Sequence, residues 1–244
     1  MEAVMVFFIG SVIGSFLNVM VIRSEQGRDF VFSFSQCPAC GERIRFYDLM
    51  LIASWLLLRG RCRHCHWRIS LRYPLVELIG GLSALWCWRY GEVMNQYVSF
   101  AYLMILLCIA LSDQDCQEIP VCYLIYIVIL YLLFQRNARL TGHVMGMVVI
   151  SLPLALIILI SKKMGWGDCL LSGVCGLFLG WEKVIPGFLM GLGFACLQAL
   201  FLLAVRGKNR KTVIPFAPAL CLGYGLALFY GDRLFYWYYL LIYR

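Results

Sequence analysis

The chain has 244 residues, of which 62% are hydrophobic and 14% are charged, and its mean hydropathy is +0.82. Soluble globular domains carry about a quarter charged residues, so this composition excludes a soluble protein and indicates an integral membrane protein. The formal net charge of +8 comes with no nucleic-acid-binding motif, and we expect the basic residues to set topology and to contact anionic membrane lipids rather than nucleic acid.

Eight apolar runs are long enough to be candidates for crossing a hydrocarbon core of ~30 Å as helices. The run at 169–181 is the weakest. The first run has no basic region before it, since Glu2 is the only charge ahead of Arg23, and we interpret it as a membrane span rather than a signal peptide. The runs lie near residues 3–22, 74–90, 97–112, 119–134, 144–161, 169–181, 186–205 and 214–242.

The basic residues predict the orientation of these spans. Eight spans place the segments 23–73, 112–118, 162–168 and 206–213 on one side of the membrane, and those segments hold 15 of the 21 Lys and Arg residues. Because loops rich in Lys and Arg stay in the cytoplasm, we predict that this side is cytoplasmic and that both termini lie outside.

Segment 23–73 is the one stretch long and polar enough to leave the bilayer, and it contains two Cys-x-x-Cys motifs separated by 21 residues. Four thiolates with this spacing can surround one Zn²⁺ in a closed structural site. A pair of disulfides is the alternative, disfavoured in a reducing cytoplasm, and His64 or His66 is an alternative ligand. The predicted ligands are Cys37, Cys40, Cys62 and Cys65.

Two aspartates stand at the edges of apolar runs, Asp113 before Ile119-Pro120 and Asp168 after Gly165-Trp166-Gly167. A carboxylate there is costly unless it faces protein, water or a partner. Two carboxyls held close together can share one proton and act as general base and general acid on a peptide bond. Asp168 alone is also typical of a helix N-cap, and Asp115 competes with Asp113 as the first acid.

Gly165 and Gly167 lack side chains, which predicts tight turns and a close approach of substrate backbone to Asp168. Both aspartates lie on the predicted cytoplasmic side. Asp115 and Glu118 are expected at the rim, where they would attract a basic peptide.

The chain resembles the type 4 prepilin peptidases, also called leader peptidase/N-methyltransferases, over nearly its whole length. The matching motifs occur in the family's order, although Val121 and Leu170 stand where the family usually has Asp and Lys. The motifs are Gly14-Ser15-Phe16-Leu17-Asn18, Cys37-Pro38-Ala39-Cys40, Tyr47-Asp48, residues 54–62, residues 69–74, Val76-Glu77, Asp113 with Ile119-Pro120, Gly165-Trp166-Gly167-Asp168 and residues 214–218.

The resemblance implies a bacterial inner-membrane enzyme that cuts a basic leader, after a glycine, from prepilin or pseudopilin-like precursors at the cytoplasmic face and methylates the new N-terminus with S-adenosylmethionine. It favours Asp113, seven residues before Pro120, over Asp115. For the cofactor pocket, Asn18 and Glu77 are candidates, although such residues are commonly satisfied by interhelical hydrogen bonds.

We therefore expect an all-α polytopic membrane protein of about eight transmembrane helices with a small cytoplasmic zinc-binding loop module. Its predicted parts are a first span at 1–22, a zinc module at 23–73 that forms the methyltransferase region with that span, and a peptidase core at 74–244. A proton-coupled transporter and a non-catalytic scaffold with a zinc interaction module are the alternative functions.

Overall fold

A computed structural model describes residues 1–27, 36–37, 39–44, 51–90, 96–134, 140–161, 165–206 and 215–242. The motif Tyr47-Asp48 lies outside the described residues, as does Ile214. In the described part the chain forms α-helices and two isolated β-bridges, with no strand. The helices are α1 (Glu2–Glu25), α2 (Leu51–Leu57), α3 (Arg72–Tyr90), α4 (Gln96–Cys116), α5 (Val121–Phe134), α6 (Leu140–Ser161), α7 (Trp166–Leu179), α8 (Trp181–Arg206) and α9 (Ala217–Ile242).

The helices have the length and apolarity of a membrane protein. Among the described residues, four helices, α1, α4, α6 and α8, are long and apolar enough to cross a membrane, and α5 and α7 are shorter apolar helices. These findings, with the cysteine cluster described below, confirm the predicted fold class. The weakest predicted run corresponds to α7, whose 14 residues extend only about 21 Å as a helix.

Two compact units make up the chain, Met1–Phe100 and Ala101–Arg244. In the first unit, α3 packs against both α1 and α2. In the second unit, α8 packs on α9, and α7 contacts α5, α6, α8 and α9. The short helix α7 is therefore central in its unit, which explains why Leu171, Cys175 and Phe178 are fully buried. The predicted boundaries after residues 22 and 73 stay predictions.

Glycines allow the backbones of paired helices to come close together. A Cβ on Gly176 of α7 would collide with the carbonyl oxygen of Gly146 on α6, and a Cβ on Gly146 would collide with that of Gly176. Small residues facing each other in this way are common where membrane helices pack, because apolar burial alone does not drive their association in lipid. The α6–α7 contact thus fixes the position of the helix that carries Asp168.

We expect Gly176→Ala to destabilise the second unit by about 1–3 kcal/mol, because the added methyl meets backbone that cannot rotate away. Gly193→Ala on α8 is the matched control, since a Cβ there meets nothing within 4 Å and Ala favours the helix. Thermal unfolding of the purified proteins in one detergent measures the difference. Equal melting temperatures for the two variants would contradict the packing described here.

Candidate active site and metal site

Asp113 lies in the last turn of α4 and is 7% exposed. A negative charge at a helix C-terminus is unfavourable in the field of the helix. The beginning of α9 stabilises this charge, because the backbone N–H of Ala217 donates a hydrogen bond of 3.1 Å to Asp113 Oδ2. This N–H is one of the donors that the first turn of a helix leaves without an intrahelical partner. The N-terminus of α9 therefore holds the Asp113 carboxylate in place.

Asp168 lies in the first turn of α7 and is not its N-cap. The helix begins at Trp166, and the N-cap is Gly165 with φ −73° and ψ 142° and no side-chain cap. The N-cap interpretation of Asp168 is therefore wrong, because the extended residue that precedes the helix is Gly165. The side chain of Asp168 is thus not engaged as a cap, while its position in the first turn still favours a negative charge.

The structure brings the two aspartates together. Their carboxyls are close enough to interact electrostatically, and the buried Cys221 side chain lies within electrostatic range of both. The fully buried side chain of Tyr224 lies within electrostatic range of Asp168. The carboxyl pair is therefore formed where the end of α4 and the beginnings of α7 and α9 converge, next to the buried side chains of Cys221 and Tyr224.

Asp115, the alternative first acid, is exposed, in contrast to the buried Asp113. Residues two apart on a helix do not share a face, so the two carboxyls point in different directions. Glu118 is exposed as well. The geometry thus favours Asp113 as the partner of Asp168 and leaves Asp115 and Glu118 at the surface.

The two glycines before Asp168 do not form the tight turns that the sequence predicts. Neither has a positive φ, so no tight glycine-specific turn is present. A Cβ on Gly167 would lie 3.3 Å from Ile119 Cδ1, whereas at Gly165 the nearest atom among the described residues would be the backbone N of Gly167 at 3.9 Å. Gly167 thus lets Ile119 pack against the start of α7, and Gly165 leaves open space beside the backbone.

At the two positions where the resemblance expects charged residues, the side chains are apolar and more than half exposed. Leu170 is 51% exposed and Val121 is 59% exposed. Neither side chain contributes to the buried interior around the carboxyl pair, so the packing that holds Asp113 and Asp168 does not depend on these departures.

The four predicted cysteines converge, with their sulfur atoms all within 4.8 Å of one another. The Sγ atoms of Cys37 and Cys65 are 3.8 Å apart. Four sulfurs at about 2.3 Å from a tetrahedral Zn²⁺ are separated by about 3.8 Å, so the donor set fits that ion. All four are free thiols, so the disulfide alternative is not what the structure shows, and neither His64 nor His66 belongs to the cluster.

The two cysteine pairs lie in two turns of the same backbone conformation. The N–H of Cys37 donates to Glu42 O and that of Cys62 donates to Trp67 O, both at 2.9 Å. The fourth residue after the leading cysteine has a positive φ in both turns, +70° at Gly41 and +57° at His66. His66 therefore occupies a backbone position that favours glycine, which assigns it a place in the turn rather than at the metal.

The thiols affect each other's ionisation. Backbone N–H groups of Cys65 and His64 lower the pKa of Cys62 to about 7. At Cys40 the Glu42 backbone lowers the pKa, yet desolvation and the neighbouring Cys37 and Cys65 thiols raise it to about 11. Four thiolates this close repel one another, so a divalent cation is needed to ionise the whole set.

The two polar residues proposed for a cofactor pocket are buried where α1, α2 and α3 meet. Asn18 Oδ1 accepts a hydrogen bond of 3.0 Å from Arg72 Nε. Glu77 Oε2 accepts one of 3.0 Å from the backbone N–H of Ile52. Interhelical hydrogen bonding thus accounts for one oxygen of each side chain.

Comparison with known proteins agrees with this arrangement. Residues 8–90, which include the four cysteines, match the bacterial peptidase A24 N-terminal domain, and residues 100–205, which include both aspartates, match the type IV leader peptidase family. The chain belongs to the type IV leader peptidase family. The predicted resemblance is therefore confirmed.

Three curated relatives of this leader peptidase are each named prepilin leader peptidase/N-methyltransferase. The protein from Pseudomonas putida is 32% identical, with 93% of this chain and 90% of the relative covered. Those from Stutzerimonas stutzeri and Pseudomonas aeruginosa are 30% and 28% identical, with 93% of this chain covered in both cases and 90% and 89% of the relative. No solved structure matches.

Sequence reasoning missed several residues around the carboxyl pair of this leader peptidase. Ala217 acts through its backbone, which no side-chain pattern reveals, although the prolines before and after it do indicate a helix start. Cys221 and Tyr224 follow Ala217 by four and seven residues, which places them on the same face of α9. This spacing was the sequence signal for Cys221 and Tyr224. It points to the carboxyl pair only when the contact of Ala217 with Asp113 is known.

Proposed function

We propose that the chain is a membrane aspartic endopeptidase that removes the basic leader peptide of type IV prepilin or pseudopilin-like precursors and N-methylates the new N-terminus. The observation that supports the peptidase assignment is the buried Asp113, held by the N-terminus of α9, within electrostatic reach of Asp168. The family and the names of its relatives supply the substrate class.

In this proposal the two aspartates share one proton between them. The ionised carboxyl takes a proton from a water molecule, whose oxygen attacks the scissile carbonyl, and the protonated carboxyl gives its proton to the leaving amide nitrogen. The Ala217 N–H fixes one oxygen of Asp113, so that the pair needs little reorganisation during the reaction. The open backbone at Gly165 supports the approach of an extended substrate.

The exposed carboxylates of Asp115 and Glu118 favour a basic leader. Their charges attract Lys and Arg residues of a precursor toward the carboxyl pair, and salt screens this attraction over about 10 Å at 0.1 M.

We assign Cys37, Cys40, Cys62 and Cys65 to a structural Zn²⁺. A closed shell of four thiolates leaves no position for water or substrate, so the ion would stabilise the fold of the loop module rather than react. The 3.8 Å separation of Cys37 and Cys65 sulfurs supports this assignment.

The methyltransferase activity implies S-adenosylmethionine, which supplies the methyl group when bound. No glycine-rich strand-turn-helix element of the dinucleotide-binding kind is present in the sequence, so any pocket must lie among the loop module and helix ends. The buried polar side chains of Asn18 and Glu77 are the residues that we propose for the methyl-transfer region.

We propose the bacterial inner membrane as the location, with the cysteine module and the carboxyl pair facing the cytoplasm. A reporter fused within 41–61 should then be cytoplasmic and one fused within 137–141 external, following the 15-to-6 bias in basic residues. Paired fusions that are active on opposite sides of the membrane test this topology. A periplasmic result at 41–61 would reverse the orientation.

The experiment that tests the proposed function is precursor cleavage by the purified full-length protein in lipid vesicles. Mass spectrometry should show loss of the leader after its terminal glycine and a gain of one methyl group when S-adenosylmethionine is present. Neither a proton-coupled transporter nor a scaffold would release the leader, so an intact precursor would favour those alternatives.

A further inference from the structure

A second buried polar cluster lies in the first unit, away from the aspartates in sequence. Asn18 on α1 is 1% exposed and Glu77 on α3 is 3% exposed. Asn18 accepts a hydrogen bond from Arg72 through its oxygen, and Glu77 accepts one from Ile52 through one of its oxygens. The Ser15 hydroxyl also donates a hydrogen bond to the Glu77 carboxylate. Three helices thus position the two side chains.

One polar atom of each side chain is left over. Within the described part of the chain, Asn18 Nδ2 and Glu77 Oε1 are buried and have no hydrogen-bond partner. Buried polar atoms in folded proteins are nearly always hydrogen-bonded. A ligand that carries the complementary acceptor and donor would satisfy both open atoms.

The backbone geometry places the two side chains along one helix contact. Gly14, one turn before Asn18, packs against the stretch of α3 that contains Glu77, since a Cβ on Gly14 would lie 2.9 Å from Val76 O and 3.6 Å from Glu77 Cα. One turn further along α1, Asn18 accepts a hydrogen bond from Arg72 of α3. The free donor and the free acceptor therefore belong to residues about one helical turn, ~5.4 Å, apart along the α1–α3 contact.

We propose that Glu77 and Asn18 bind an α-amino group together with its neighbouring carbonyl or carboxylate oxygen. Glu77 Oε1 accepts a charge-assisted hydrogen bond from the ammonium, and Asn18 Nδ2 donates to the oxygen. This chemistry has two sources in the proposed function, on which the inference rests. One is the free N-terminus of the cleaved precursor, and the other is the methionine moiety of S-adenosylmethionine.

The test uses the full-length purified protein and two conservative variants. Glu77→Gln keeps an oxygen for the Ile52 N–H and removes the charge. Asn18→Asp keeps an oxygen for Arg72 and removes the donor. Glu182→Gln is the matched control, because Glu182 lies in the other unit and outside the cluster of Asn18 and Glu77.

Two probes separate the sources, each measured alone by calorimetry. The first is a peptide with the free N-terminus of a mature pilin-like protein, compared with its N-acetylated form, and the second is S-adenosylhomocysteine. We expect each variant to lower the affinity for one of the two probes by about tenfold or more, as loss of a hydrogen bond to a charged group predicts. The control should leave that affinity unchanged. The probe that weakens identifies the source.

Leader cleavage by the same samples keeps the outcomes distinct. Unchanged cleavage shows that the peptidase assignment stands, and unchanged thermal unfolding shows that the variants are folded. Unaltered affinity of Glu77→Gln for both probes, or no binding of either probe to the wild type, would overturn the inference while cleavage continues. A wild-type protein that fails to cleave would overturn the proposed function instead.

Discussion

Asp113→Asn and Asp168→Asn should each lower leader cleavage by about 10³-fold or more, because an amide side chain can neither take a proton from water nor donate one as a carboxylic acid. The fold should survive, since the amide oxygen introduced by Asp113→Asn can still accept the Ala217 N–H that Asp113 accepts at 3.1 Å. The measurement is the initial rate of leader removal by purified variants in vesicles, with thermal unfolding to confirm that the proteins are folded.

The double variant should be no worse than either single one, since members of one catalytic unit are not additive. Asp115→Asn is the matched control and should keep most of the activity, because Asp115 is exposed two residues from Asp113. Methylation of an already cleaved substrate should also continue in Asp168→Asn. Loss of cleavage in Asp115→Asn with retention in Asp113→Asn would move the first acid to Asp115.

Zinc removal should have the second large effect, confined to the first unit. We expect about one Zn per chain in the purified wild-type protein, and far less in Cys40→Ser/Cys65→Ser, because two of the four sulfurs within 4.8 Å are gone. The measurement is zinc by mass spectrometry together with proteolysis of segment 23–73, which should be faster in the variant.

Cys196→Ser is the control for this experiment, since Cys196 is an exposed cysteine outside the cluster. We expect methylation to suffer more than cleavage, because Cys40 and Cys65 lie in the same unit as Asn18 and Glu77, whereas both aspartates lie in the other. Full zinc in the double-serine variant would refute the four-thiolate assignment.

The helices and the cysteine cluster could be predicted from the sequence for physical reasons. A hydrocarbon core demands long apolar helices, so the runs of apolar residues predict the helices directly. Short-range spacing fixes two sulfurs in each turn, so the spacing alone was enough to assign Cys37, Cys40, Cys62 and Cys65 to one site.

What could not be predicted depends on the approach of distant backbones. The helix start at Trp166 makes Gly165 the N-cap, whereas the sequence alone also allowed Asp168 in that role. The hydrogen bond from Ala217 to Asp113 joins residues 104 positions apart, and no local pattern contains it. The role of Gly167 likewise depends on Ile119, which packs where a Cβ would lie.

The carboxyl pair and the Asn18–Glu77 cluster lie in different compact units of the chain. Each unit is matched by a family domain of its own, over residues 8–90 and 100–205. We propose that the two activities in the names of the relatives belong to these separate sets of residues. We therefore expect the aspartate variants to lose cleavage and keep methylation, and the Glu77 variant to lose methylation and keep cleavage.

Processing in cells that lack any other such peptidase tests the central claim most directly. The wild-type chain is expressed beside a pilin-like precursor with a basic leader ending in glycine, and mass spectrometry of the product reports whether the leader is present. We predict complete removal by the wild type and by Asp115→Asn, and an intact leader with Asp168→Asn at equal membrane abundance. Normal processing by Asp168→Asn would contradict the account.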